Sequence, residues 1–206
     1  MERLTSRIGF WSAILSFVFG MGYIVFQFAD WAGLTPQPWP SITLMFPSFW
    51  LALSFVILMI SIYHYAPDER KIWGHIALAV AIMYATLNTA VYFVQMTVVF
   101  PFTLSGHAGE VDFVRLVGGN TVPSFMYALD ALGYSLMSIA TLFAAPVFAG
   151  GKLERWIRWS LVANGLLTPA LLLQLNFPTF SIAALWAITF PIATALLAML
   201  FKREMK

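Results

Sequence analysis

The chain contains no cysteine. That excludes disulfides, thiolate metal sites and thiol redox chemistry. Charge is almost as scarce. Only 10% of the 206 residues are Asp, Glu, Lys or Arg, against about 25% in a soluble domain. The sequence has no Walker motif, zinc-protease helix or Gly-x-Ser-x-Gly element, so no catalytic residue is assigned from a motif. No lysine lies in the core of an apolar run and no arginine series recurs, which argues against a retinal Schiff base and a voltage sensor. A soluble basic domain is missing too, so no nucleic-acid partner is expected.

What the chain has is apolar sequence in blocks. Hydrophobic residues make up 61% of it. Six runs stand out: 8–28, 42–63, 72–99, 123–148, 156–176 and 181–201, each of at least 21 residues. A helix needs about 20 residues to cross a bilayer. Helices satisfy their own backbone groups in lipid, and the short alternating segments of a barrel are absent. The first run is too long for a signal peptide and no small-x-small site follows it, so it is read as retained. The fold class is therefore an all-α integral membrane protein with six transmembrane helices, forming a single transmembrane helical bundle over 1–206.

Basic residues orient the bundle. Arg3, Arg7, Arg70, Lys71, Lys152, Arg155, Arg158, Lys202, Arg203 and Lys206 fall on one side, and only Arg115 falls opposite. The positive-inside rule then makes both termini cytoplasmic. Tryptophans near both boundaries, among them Trp11, Trp73, Trp156, Trp31, Trp39 and Trp50, read as an aromatic belt in contact with membrane lipid. The general pattern resembles small six-helix bacterial membrane proteins, which places the chain in the plasma (inner) membrane as a multi-pass protein; no motif assigns a family.

A weak internal repeat runs through the helix starts. The inward-running helices begin Pro47-Ser-Phe, Pro123-Ser-Phe and Pro178-Thr-Phe, and the outward-running ones follow Glu2-Arg3, Glu69-Arg70 and Glu154-Arg155. This suggests three tandem helical hairpins, near 2–63, 69–148 and 154–201. Proline in a first helical turn and serine or threonine at a cap are also ordinary without any repeat. The alternating prolines of Thr35-Pro-Gln-Pro-Trp-Pro40 predict an extended, stiff loop. In the long loop from 100 to 122, residues 110–117 read as a short interfacial helix.

Polar residues inside the runs follow helical spacing. Tyr127, Asp130, Tyr134, Ser138 and Thr141 share one face of the fourth helix. Tyr84, Asn88, Tyr92 and Gln95 share one face of the third. Ser12, Ser16, Gly20, Tyr23 and Gln27 do so on the first. Such faces turn away from lipid and toward each other. Asp130 lies seven residues past Pro123, about 10 Å down the helix at 1.5 Å per residue. Tyr92 lies at a similar depth, Gln95 shallower, Asn88 deeper, with Tyr23 and Gln27 in the same layer. The sequence thus predicts a tyrosine- and amide-lined pocket opening outward, formed by Asp130, Tyr127, Tyr134, Asn88, Tyr92, Gln95, Tyr23 and Gln27.

Asp130 is the residue on which the functional reading turns. A central aspartate costs about 2.5–3.5 kcal/mol to insert, and large apolar residues return about 0.3–0.6 each. Phe125, Leu129, Leu132, Leu136, Ile139, Leu142 and Phe143 let this helix insert despite it. A carboxylate at such depth marks a functional site by default; a plain hydrogen bond between helices is the competing reading. No basic residue lies at that depth, so a neutral carboxyl is expected. His64 and His75 flank a short loop with no further ligands around them, and neither metal nor cofactor is expected.

Three functions follow. The leading one is a small-molecule-binding membrane protein, a transporter, substrate-capture subunit or sensor, whose ligand is small, partly aromatic or apolar, and neutral or cationic. The second is a membrane enzyme acting on a lipid or isoprenoid with Asp130 as general acid, weakened by the lack of a second acid or base. The third is a structural subunit that meets partner membrane subunits. Pro169 and Pro191 mark sites for helix kinks.

Overall fold

Six apolar runs become six helices. The computed structural model describes residues 3–36, 39–105, 124–173 and 184–205. Its long helices are α1 (Arg3–Trp31), α2 (Met45–Tyr65), α3 (Lys71–Val94), α4 (Phe125–Ala144), α5 (Lys152–Gly165) and α6 (Trp186–Glu204). With their continuations, six helices among the described residues are long and apolar enough to cross a membrane. No strand occurs among those residues. This is the pattern of a multi-pass membrane protein. The 110–117 segment, His107, Arg115, Pro123 and Pro178 lie outside the described residues.

Local chemistry sets the helix ends. Ser124 stands just before α4 in extended backbone, and its side chain accepts from the Tyr127 backbone N–H at 3.0 Å. A cap of this kind contributes about 1 kcal/mol. Glu154, in the first turn of α5, accepts from the backbone N–H groups of Ala149 and Gly150 at 2.9 and 2.8 Å. A Cβ on Gly150 would meet the same carboxylate, so glycine is what lets the chain fold back on Glu154.

Proline explains the interruptions. Pro169 has no N–H to offer the Gly165 carbonyl, and the expected continuous span over 156–176 breaks there. Helix α5 stops at Gly165, and a second short helix runs Thr168–Leu173. The Thr168 hydroxyl donates to the freed Gly165 carbonyl at 2.8 Å. Near Pro101 the third helix widens instead: Gln95–Val99 form a π-helical turn, followed by Phe100–Leu104. Pro191 lies inside α6, which continues through it. Of the segment expected to be extended, residues 37 and 38 lie outside the described residues; on either side of them Trp39 N donates to the Pro36 carbonyl at 3.1 Å, and a one-turn helix Pro40–Thr43 follows.

The helices form a closed ring. Each packs on its neighbours in chain order, and α6 packs back on α1. Lipid gives helices no hydrophobic reason to associate, so close approach of small residues matters most. Helix α1 buries Ser6, Gly9, Ser12, Ala13, Ser16 and Gly20. A Cβ at Gly9 would lie 2.7 Å from the Phe201 ring, and one at Gly20 3.2 Å from Phe190. Helix α6 therefore supplies rings where α1 supplies space. At Gly165 an added Cβ would fall 2.6 Å from Leu142 Cβ, which brings α5 hard against α4.

Side-chain bonds identify one end of the ring. Ser6 Oγ donates to the Glu204 carbonyl at 3.3 Å, Tyr65 Oη to Glu154 Oε1 at 2.8 Å, and Arg70 Nη1 to the Pro146 carbonyl at 3.3 Å. The first joins α1 to α6, the second α2 to α5, and the third connects the start of the third span to the segment after α4. Both described chain ends therefore lie at this same end, with Arg3, Arg70, Lys71, Lys152 and Lys202 beside them. At the opposite end, the Trp39 and Phe100 rings meet at 5.7 Å.

Candidate functional site

The centre of the ring is aromatic. Ring order sets α1 across from α4, α2 from α5, and α3 from α6. Tyr23 of α1 reaches Tyr134 of α4 at a centroid distance of 6.4 Å, and Trp186 of α6 at 6.0 Å. Tyr134 and Trp186 are 5.5 Å apart. Tyr84 of α3 joins Tyr134 at 6.0 Å, and Phe55 of α2 joins both Tyr84 and Phe190. Edge-on and tilted contacts of this kind add about 0.5–1.5 kcal/mol each beyond burial.

Asp130 lies against this cluster, at the α3–α4 crossing. Asn88 Nδ2 donates to Asp130 Oδ1 at 3.0 Å and to Tyr92 Oη at 2.9 Å. The Tyr92 hydroxyl is also within hydrogen-bond reach of the carboxyl. Tyr23, Tyr84, Tyr92, Tyr127 and Tyr134 all stand close enough to interact electrostatically with Asp130. Asn88 is wholly buried, and its Oδ1 occupies the space that a Cβ on residue 133 would fill. Glycine at 133 is therefore the condition for the Asn88–Asp130 bond.

Several polar atoms in this centre have no hydrogen-bond partner among the described residues. They are Tyr84 Oη, Asn88 Oδ1, Tyr134 Oη, Ser138 Oγ and Trp186 Nε1, all buried. The Tyr134 hydroxyl lies near Tyr92 and Ser48.

No family model, curated protein or solved structure matches this chain. The site must be read from its own chemistry.

The eight residues read from spacing and depth divide four ways. Asp130, Asn88 and Tyr92 form one hydrogen-bonded unit, with Tyr127 one turn away on α4 and Tyr134 on the adjoining turn. Tyr23 joins through its ring. Gln27 bonds within its own helix, where its Oε1 accepts from Tyr23 Oη at 3.1 Å. Gln95 is buried in the wide turn that follows α3. The half-buried members are Tyr23, Gln27, Tyr127 and Asp130, so the cluster is reached from their side.

Two contributors escape a reading of spacing alone. Trp186 opens α6, at the edge of an apolar run with nothing polar around it. Gly133 had a signal: a glycine inside a helical pattern, three residues past the acid, marks close approach. His64 and His75 both pack on the Tyr63 ring, at 5.2 and 5.3 Å.

Proposed function

We propose that this chain is a small-molecule-binding protein of the bacterial plasma membrane: a transporter, a substrate-capture subunit or a sensor. The positive-inside rule puts the basic end, and both termini, in the cytoplasm. Asp130 and its tyrosines then lie in the outer half of the bundle, open toward the outer side. The ligand is small, with an apolar or aromatic body.

One observation carries this reading. Beside Asp130, Tyr84 Oη, Asn88 Oδ1, Tyr134 Oη and Trp186 Nε1 are buried without hydrogen-bond partners among the described residues. Each unsatisfied group costs about 1–3 kcal/mol. A centre built only to hold helices together is cheaper with phenylalanine and leucine in those places. A ligand carrying both donor and acceptor atoms on an apolar frame completes the set. The general-acid alternative gains nothing here: no second carboxylate, histidine or lysine among the described residues is bonded to Asp130.

The test is gentle purification followed by mass spectrometry of released compounds. A specific compound at near-stoichiometric occupancy is expected in the wild type, and its loss in Asp130→Asn. A preparation that carries only phospholipid, in both forms, would refute the reading.

A further inference from the structure

Building on that small-molecule reading, we infer that the ligand is an organic cation, an ammonium on an apolar or aromatic body, and that it displaces a proton from Asp130.

Charge is the first argument. Among the described residues, the titratable groups that face Asp130 are Tyr23 from α1, Tyr84 and Tyr92 from α3, and Tyr127 and Tyr134 from its own helix. Helices α2 and α6 bring Ser48 and Trp186 to this cluster, and neither carries charge. The titratable residues of α5 are Lys152, Glu154, Arg155 and Arg158, all in its first two turns at the basic end, and its Thr168–Leu173 continuation has none. Among the described residues the sole ion pair is Lys71–Asp68, exposed at the basic end. Among the described residues no cation faces Asp130 to neutralise it. A carboxylate at membrane depth with a neutral amide but no cation beside it is disfavoured, and in this proposal the acid holds a proton until a cation arrives.

The walls are the second argument. Tyr23, Tyr134 and Trp186 form a triangle of rings with sides of 6.4, 6.0 and 5.5 Å. Ring faces attract an ammonium within about 6 Å of their centroids, tryptophan most strongly. The Tyr84 and Tyr134 hydroxyl oxygens, without hydrogen-bond partners among the described residues, offer lone pairs to the positively polarised N–H or C–H groups of the cation. Tyr23, Tyr127 and Asp130 are the half-buried members, so a cationic head enters on the carboxyl side.

The exchange balances. The carboxylic O–H bond breaks, the proton passes to water, and the carboxylate pairs with the ammonium. One positive charge leaves as one enters, so the interior never carries an isolated charge.

The probes are benzyltrimethylammonium and its neutral tert-butyl analogue, of nearly the same shape. Binding of each to the purified full chain is measured by calorimetry in two buffers of different ionisation enthalpy. The cation is expected to bind at least tenfold more tightly than the analogue, to release about one proton, and to gain affinity as pH rises. Asp130→Asn is expected to abolish proton release and the preference for the cation while leaving the analogue's binding intact, which also certifies the fold of the variant. Equal binding of both probes, or cation binding without proton release, overturns the inference. A neutral compound copurifying with the wild type, together with equal probe binding, would defeat the cation and spare the small-molecule reading. Failure of both probes with no copurifying compound would defeat both.

Discussion

Asn88 and Asn164 are the same residue at the same complete burial, and the chain uses them differently. Asn164 is closed. Its Nδ2 donates to Thr141 Oγ1 at 3.1 Å, and its Oδ1 accepts from Thr189 Oγ1 at 3.0 Å. It ties α4, α5 and α6 together with both ends of the amide used. Asn88 is open. Its Nδ2 serves two acceptors, Asp130 and Tyr92, while its Oδ1 lies against Gly133 without a partner. Around Asn164 the neighbours are threonines that also bond backbone carbonyls. Around Asn88 they are tyrosines, some with idle hydroxyls. One crossing spends its polar capacity on structure; the other holds some in reserve.

Substitutions can break or sharpen that contrast. Gly133→Val should have the largest effect. Its side chain takes the place of the Asn88 amide, so overpacking and loss of the Asp130 bond together should lower stability by about 3 kcal/mol, read as a fall in melting temperature in detergent. An unchanged transition would mean that Asn88 does not sit over residue 133. Asn164→Ala should cost about 1–2 kcal/mol by removing both interhelical bonds of the amide, and ligand occupancy should not change. Loss of the ligand in that variant would erase the distinction between the two sites. Tyr134→Phe should go the other way. Removing a buried hydroxyl without a partner should raise stability by up to about 1 kcal/mol while weakening the ligand. A lowered melting temperature would reveal a partner for that hydroxyl. The smallest change belongs to Ser54→Ala, at about 0.6 kcal/mol, the average for an interhelical bond; a loss above about 2 kcal/mol would give the Ser16–Ser54 contact a larger role than its geometry implies.

Much of the arrangement is legible from residue order because the lipid setting leaves few choices. Runs of apolar residues long enough to span become helices, and polar residues three and four apart face inward. That logic brings Asp130, Asn88 and Tyr92 together before any coordinates are known. It fails where local chemistry intervenes. Gln27 finds Tyr23 on its own helix, one turn away, a nearer partner than anything on α4. Pro169 cuts α5 because its neighbour Thr168 can absorb the freed carbonyl. Ring closure of α6 on α1 depends on rings fitting over glycines, which no periodicity encodes.

The hairpin repeat has one informative pair. Ser54 and Asp130 occupy the same register after their prolines, and each bonds the preceding helix of its own hairpin, Ser16 at 3.0 Å and Asn88 at 3.0 Å. The corresponding Leu185 is exposed, and the third hairpin bonds through Thr189, one turn later. On this comparison Asp130 is the acidic member of a position that elsewhere carries a hydroxyl or a hydrocarbon.

The closed ring also bears on how the protein is made. Ser6 and Glu204 are 198 residues apart in the chain and bonded in the fold. Helix α1 therefore leaves the ribosome long before the helix that covers its Ser6, Gly9 and Gly20 exists. Until α6 arrives, that small-residue stripe stands open to any passing helix. During biogenesis the nascent chain is a hoop with a gap, and shielding of that gap, by the insertion machinery or by speed, decides whether it closes on itself or on a neighbour.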